Sequence, residues 1–317
     1  MLREIGIESY YVLIHTDRGV VAPDFPTPLT FNHVILAVRL PDDVERSTLY
    51  AVSEHPRLGR LLFFDPTDTS TPIGHLPPSL QANHGLLVTQ DGGELVRLPL
   101  LPGVTNRLMR TGKLSLSSAG VLSGDIQEVR WGSPAVQRRN SLLAETKTDR
   151  AKVIEDFLGS FLKGFRITDA SVENLDAHDA NLILRYKFVA QNYGQFAGDL
   201  LIFRPRVVGE KGSTLLEIKE RKYPVEFDDA TLQTDQFEIQ LPPGFTVDEI
   251  PAGVQAKYPF AEYQSSFEVN GGVLQYTRKY EIKDVRIPTE NLEDLKKFYR
   301  QVAADERASA VLKRVSP

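Results

Sequence analysis

The sequence predicts an α+β fold that is mostly β, with an antiparallel sheet in its first third and a β-sandwich with two helical segments after it. Three observations carry this. Short apolar or alternating runs recur along most of the chain, the signature of half-buried strands. They are punctuated by turn sequences such as Gln90-Asp91-Gly92-Gly93 and Asn270-Gly271-Gly272. Helical periodicity is confined to two stretches, 133–162 and 288–313. At 317 residues, with 41% hydrophobic and 25% charged residues, the chain has the balance of a globular protein and the length of two domains. The boundary is expected near Pro99–Val104, giving domains 1–103 and 104–317.

Taken in order, Met1 to Ile7 reads as the last turn of a helix, with Leu2 and Ile5 as i, i+3 partners and Gly6 as its stop. Tyr10 to His15 is a strongly apolar strand. Five consecutive apolar positions, Tyr10–Ile14, predict burial on both faces, the cover being the second domain, a symmetric partner or another chain. Thr16–Thr30 is a loop carrying Pro23, Pro26 and Pro28. Strands are expected near 32–40, 47–53 and 60–65, with Arg57-Leu58-Gly59-Arg60 as a turn. Residues 66–84 are Pro-rich and irregular. Gly85–Val88 and Glu94–Leu98 form a hairpin.

Beyond the boundary, Lys113–Ser117 and Val121–Arg130 read as a second hairpin. Ser133-Pro134 reads as an N-cap followed by proline at the first helical position. The helical pattern runs to Leu162 with a break near Thr146–Asp149, and Val153, Ile154, Phe157, Leu158 and Phe161 form its apolar stripe. Strands follow at 166–172, 181–190, 199–203, 232–241 and 253–258, then a long hairpin, 261–269 with 273–283. A helix opened by Pro288-Thr289 is expected to run to Lys313. The alternating charges of Glu217–Lys222 read as a solvated strand edge, and Trp131 and the aromatics of the second half as sandwich core.

Composition excludes several functions. A net charge of −5 argues against a nucleic-acid surface, and no apolar run is long enough to span a bilayer. Met1-Leu2-Arg3-Glu4 leads into Gly6 without the basic and apolar regions of a signal peptide. With 0 cysteines there are no disulfides and no thiolate metal sites. The histidines 15, 33, 55, 75, 84 and 178 contain no i, i+4 pair of metal-binding type, and His75 and His84 read as two loop histidines rather than metal ligands. No glycine-rich phosphate loop and no Gly-x-Ser-x-Gly elbow is present, so no cofactor or metal is expected.

The candidate chemistry lies between Phe31 and Asp68. Alternation puts His33, Ile35 and Ala37 on one face of their strand, and Leu61, Phe63 and Asp65 on one face of theirs. Antiparallel neighbours would bring His33 and Asp65 together at one sheet end. On residue types alone, the pair reads as a strand-end His and a turn-forming Asp-Pro, since one His and one Asp about thirty positions apart occur in most chains. Phe31-Asn32-His33-Val34-Ile35 and Phe64-Asp65-Pro66-Thr67 nevertheless resemble the transglutaminase-like branch of the papain-type cysteine hydrolases and acyltransferases. More closely, they resemble large bacterial proteins that join such a domain to β-rich domains of unknown function. Leu2-Arg3, Gly6-Ile7 and Tyr10-Tyr11 fit the family's wording around the end of its nucleophile helix. Leu241-Pro242-Pro243-Gly244-Phe245, Tyr263-Gln264-Ser265-Ser266 and Tyr276-Thr277-Arg278 fit its C-terminal region.

That resemblance implies a Cys-His-Asp triad of which His33 and Asp65 are the remnant, acting on protein or peptide amides. It implies a nucleophile from an upstream Cys-bearing segment, this chain being the C-terminal portion of such a protein. Without a cysteine the chain alone is expected to be inactive. The alternative is a non-catalytic binding or structural β-rich module of the cell envelope, the compartment suggested by the resemblance alone.

Overall fold

The computed structural model describes residues 2–21, 23–24, 30–45, 48–211 and 220–315. It is mostly β, as the sequence predicts. The first six strands are β1 (Ser9–Ile14), β2 (His33–Arg39), β3 (Val52–His55), β4 (Gly59–Phe64), β5 (His84–Thr89) and β6 (Gly92–Arg97). They form one antiparallel sheet in the order β3-β4-β2-β1-β5-β6. One face is dry: Val12, Ile14, Ile35, Ala37, Leu61, Phe63 and Leu87 pack under Leu76 and Leu80 of the Pro-rich segment and Leu98 and Leu101 beyond it. Gly85 is required in this layer, because a Cβ there would lie 2.6 Å from Val12 Cγ1.

Within this chain, the opposite face departs from the burial expected for Tyr10–Ile14. Only alternate residues of β1 are buried, and Tyr11 is 63% exposed. The register places Phe64, Leu36, Tyr11 and Val88 in one row and Val34, Leu13, Leu86 and Leu95 in the next. Val34 and Val88 are also exposed, so the second half of the chain does not cover this part of the face. Strand β3 starts later than expected, at Val52; Ser47, within the expected strand, lies outside the described residues.

The second half begins with β7 (Arg107–Leu116) and β8 (Leu122–Arg130), then helices α1 (Ser133–Leu143) and α2 (Arg150–Gly159). There follow β9 (Phe165–Glu173), β10 (Leu182–Ala190), β11 (Gln195–Ala197), β12 (Leu200–Phe203), β13 (Val225–Glu226), β14 (Thr231–Gln240) and β15 (Phe245–Glu249). Strands β16 (Gln255–Lys257), β17 (Ala261–Asn270), β18 (Val273–Ile282) and β19 (Arg286–Ile287), helix α3 (Leu292–Arg307) and β20 (Ala310–Arg314) complete it. Eight strands form a sheet in the order β16-β17-β18-β14-β7-β8-β10-β9; four form a second, β11-β12-β20-β15. Leu114, Phe237 and Tyr276 of the first sheet share one core with Leu201, Phe203 and Leu312 of the second and with Ile154 and Leu158 of α2. A separate cluster seats Leu295, Phe298 and Val302 of α3 against Tyr263, Tyr280 and Ile282.

Between these clusters runs a row of buried charge. Glu128, Arg110, Asp235, Arg278 and Ser265 are successive partners across β8, β7, β14, β18 and β17. Arg110 Nε donates to Glu128 at 2.8 Å and Nη1 to Asp235 at 3.2 Å. Arg278 reaches Asp235 at 2.6 Å and Glu306 of α3 at 3.0 Å. Burial would raise the Glu128 carboxyl, but Arg130 and Arg110 outweigh it and hold it at about 2.

Several local expectations change. Ser133 lies inside α1, and Gly132, at φ +57, is the N-cap. The cap is non-local: Asn106 Oδ1 accepts from the Ser133 N–H at 3.1 Å. A Cβ on Gly132 would sit 2.3 Å from the Thr105 carbonyl oxygen, which is why glycine stands there. The final helix stops at Arg307 and the next residues form β20, paired with β12 and β15 on its two sides. Strand pairing in the sheet interior there overrides the helical tendency of Ala308–Lys313. Trp131 is half-buried at the surface with the Arg107 guanidinium 3.8 Å above its ring, rather than in the core. Glu217–Lys219 lie outside the described residues, and Glu220–Lys222 are not in a strand.

Candidate functional site

His33 opens β2, and Asp65 follows the last residue of β4. Leu36 pairs with Phe64, so one further step puts Asp65 opposite Ile35 and makes His33 its diagonal neighbour. Both side chains point to the dry face, because His33 is the cross-strand partner of the fully buried Ile14. His33 Nε2 lies 2.9 Å from Asp65 Oδ2. The His33 side chain is 23% exposed and that of Asp65 8%, so the carboxylate is sunk beneath a ring that reaches the surface.

Asp65 is held from both sides. Its Oδ1 accepts the Thr67 N–H at 2.9 Å and the Thr67 hydroxyl at 2.7 Å, while Oδ2 faces His33. Burial alone would push this carboxyl up, but the two Thr67 bonds and the His33 ring together hold it below the usual carboxylate range. Asp65 is thus both a turn former, through Thr67, and the partner of an imidazole. Thr67 was within the motif read from sequence, but its role was not; an Asp-Pro-Thr turn is the signal that could have identified it.

With Asp65 ionised, Nε2 of a neutral His33 carries the proton and donates it. Nδ1 then keeps its lone pair, and among the described residues it has no hydrogen-bond partner. A ring with one nitrogen held by a carboxylate and the other open is a positioned proton acceptor. The loops that flank the two strands in sequence hold their own bonds: Asn32 Oδ1 accepts from Thr16 N at 2.9 Å, and Asp68 accepts from Ser70 N at 2.8 Å and from the Thr71 hydroxyl at 2.6 Å.

No group of three or more His, Asp or Glu residues among those described is arranged to hold a metal ion. His75 is packed edge-on against Tyr50, and burial lowers its pKa. His84 is the first residue of β5 rather than a loop residue. Within the described residues no helix is long and apolar enough to cross a membrane.

Comparison with known proteins gives two findings. Residues 199–312 match a family described as a domain of unknown function with solved-structure structure (DUF3858). Among solved structures, a "putative protease" from Parabacteroides distasonis overlays with a TM-score of 0.45 at 8% sequence identity. The overlay covers 98% of this chain and 41% of that one, so this chain spans about two fifths of that protein's length. No curated protein matches the chain.

Proposed function

We propose that His33 and Asp65 are the general base and its orienting carboxylate in a transglutaminase-like protein that cleaves or transfers protein or peptide amides through a thiol. The observation that supports this best is the 2.9 Å contact between His33 Nε2 and a buried Asp65 whose other oxygen is anchored by Thr67. The partially exposed ring then presents Nδ1 to a thiol, takes its proton, and leaves a thiolate to attack the amide carbonyl. The thiol belongs to a segment outside these 317 residues, which contain 0 cysteines. Residues 1–103 form one unit of this reading, and 104–317 a β-sandwich unit that supports it.

The 317-residue chain alone therefore has no amide chemistry. General-base action on water contributes only about 10²–10⁴-fold, and each missing oxyanion donor removes about 10²–10³-fold. The test assays the chain for amine incorporation into a glutamine-containing protein and for peptide hydrolysis, then repeats both with a Cys-bearing segment encoded upstream. Turnover is expected only in the second case, lost with His33→Ala and reduced with Asp65→Ala. Turnover by the chain alone, or restored turnover indifferent to His33→Ala, overturns the reading.

A further inference from the structure

A cleft of about 410 Å³ opens where three segments meet: the loop after β1, the start of β5 with the end of β6, and the turn between β18 and β19. That volume is in the range of small-molecule sites, which favour such junctions. Val21 and Val285 are buried in its walls. Arg18 stands at one side with its donors already spent on the carbonyls of Pro78, Gln81, Phe227 and Asp228.

The remaining cations come from different elements. His84 and Arg97 are cross-strand partners of β5 and β6, and Arg286 arrives from β19. Their counter-charges are few. Arg286 Nε is 3.8 Å from Glu226, and Asp284 accepts the Arg286 backbone N–H at 3.2 Å. Asp228, Asp229 and Glu226 offset the charge of Arg18 on the far wall. Among the described residues, the Arg97 side chain makes no hydrogen bond or ion pair, and the His84 ring makes no hydrogen bond. The cleft thus presents a solvent-facing guanidinium and a partly exposed imidazole with no protein partner among the described residues, donors that a ligand carboxylate or phosphate would engage.

We propose that this cleft binds a small anion, a carboxylate or a phosphate group, through Arg97, His84 and Arg286, with the ligand's apolar part against Pro23 and Ala82. The site is separate from the His33–Asp65 pair: His84 lies on the opposite face of the sheet, next to Gly85, so the two can be tested independently. Burial and the charges of Arg97 and Arg286 depress the His84 pKa, which supplies the readout: a bound anion between these groups reverses their effect and draws a proton onto the ring.

The probes are inorganic phosphate and hexanoate, added to the full chain while the His84 ring is followed by NMR through a pH titration. The signal is assigned by its loss in His84→Gln. Sodium chloride at matched ionic strength controls for screening. Saturable binding of at least one probe is expected, raising the His84 midpoint by about one unit beyond the chloride control, and abolished in Arg97→Met, an exposed position whose change leaves the fold intact. A response to phosphate alone assigns a phosphate ligand; a response to hexanoate alone assigns a carboxylate with a hydrocarbon tail. No shift beyond chloride, or the same shift in Arg97→Met, overturns the proposal.

Discussion

Asp65 is the residue on which the candidate site depends, since one carboxylate satisfies a backbone N–H, a hydroxyl and an imidazole. Hydrogen bonds to a charged group are each worth about 1.5–3 kcal/mol, and removing their acceptor leaves buried donors unmet. Asp65→Ala should therefore lower the unfolding free energy by about 2–3 kcal/mol, measured by urea denaturation at neutral pH. The sign with pH follows from linkage. The folded carboxyl titrates below its unfolded value of about 4, so its contribution is complete above that value and is lost as pH falls through the folded pKa. Wild type and Asp65→Ala should accordingly converge in stability in strong acid; a difference that persists there would show that packing, not charge, is what the substitution removes.

At the scale of elements, the charged row through the eight-stranded sheet separates two apolar clusters and pins the register of five strands. A slip of one residue would carry Arg110, Asp235 and Arg278 from the buried face to the other and break each pairing at once. Such rows give little net stability against apolar replacements of the same shape, yet breaking one member is costly. Asp235→Ala removes the carboxylate between Arg110 and Arg278 and leaves them facing each other, with only Glu128 and Glu306 on their far sides, so a loss of about 3–5 kcal/mol is expected. The measurement is a urea midpoint. A loss below about 1 kcal/mol would mean that water or Glu306 compensates the two guanidinium groups.

For the whole molecule, Arg18 ties the six-stranded sheet region to the sandwich: it reaches Pro78 and Gln81 on one side and Phe227 and Asp228 on the other. Arg18→Met keeps the aliphatic stem and removes these bonds. Calorimetry is expected to split one cooperative transition into two, the sheet region unfolding first; a single transition shifted as a unit would show that other contacts carry the coupling. Stability should also fall as pH drops from about 7.5 to about 5.5. Burial lowers the pKa of His75, and burial with Arg97 and Arg286 lowers that of His84. The unfolded chain therefore takes up those protons first, below about 6.5, and the neutral rings' contribution is present above that value and lost below it. His75→Gln should flatten this dependence, read as the urea midpoint across that range.

Much of this architecture was determined by the sequence itself. The hairpins over Gln90–Gly93 and Asn270–Gly272, the alternation of β2 and β4, and the stripe of α2 are local, because period and turn chemistry act between neighbours in the chain. Alternation also puts His33 and Asp65 on a common face, while the role of Thr67 lies in the geometry of the Asp-Pro-Thr turn. Other features were decided only by tertiary structure. Asn106 caps α1 from a distant loop, β14 lies parallel to β7, and β20 is a strand because two others pair with it. The exposure of Tyr11 and the arrival of Arg286 beside His84 belong to the same class. In each, the partner is remote in the chain, and neither composition nor period records which remote surface meets which, since that choice is made by the packing of whole sheets.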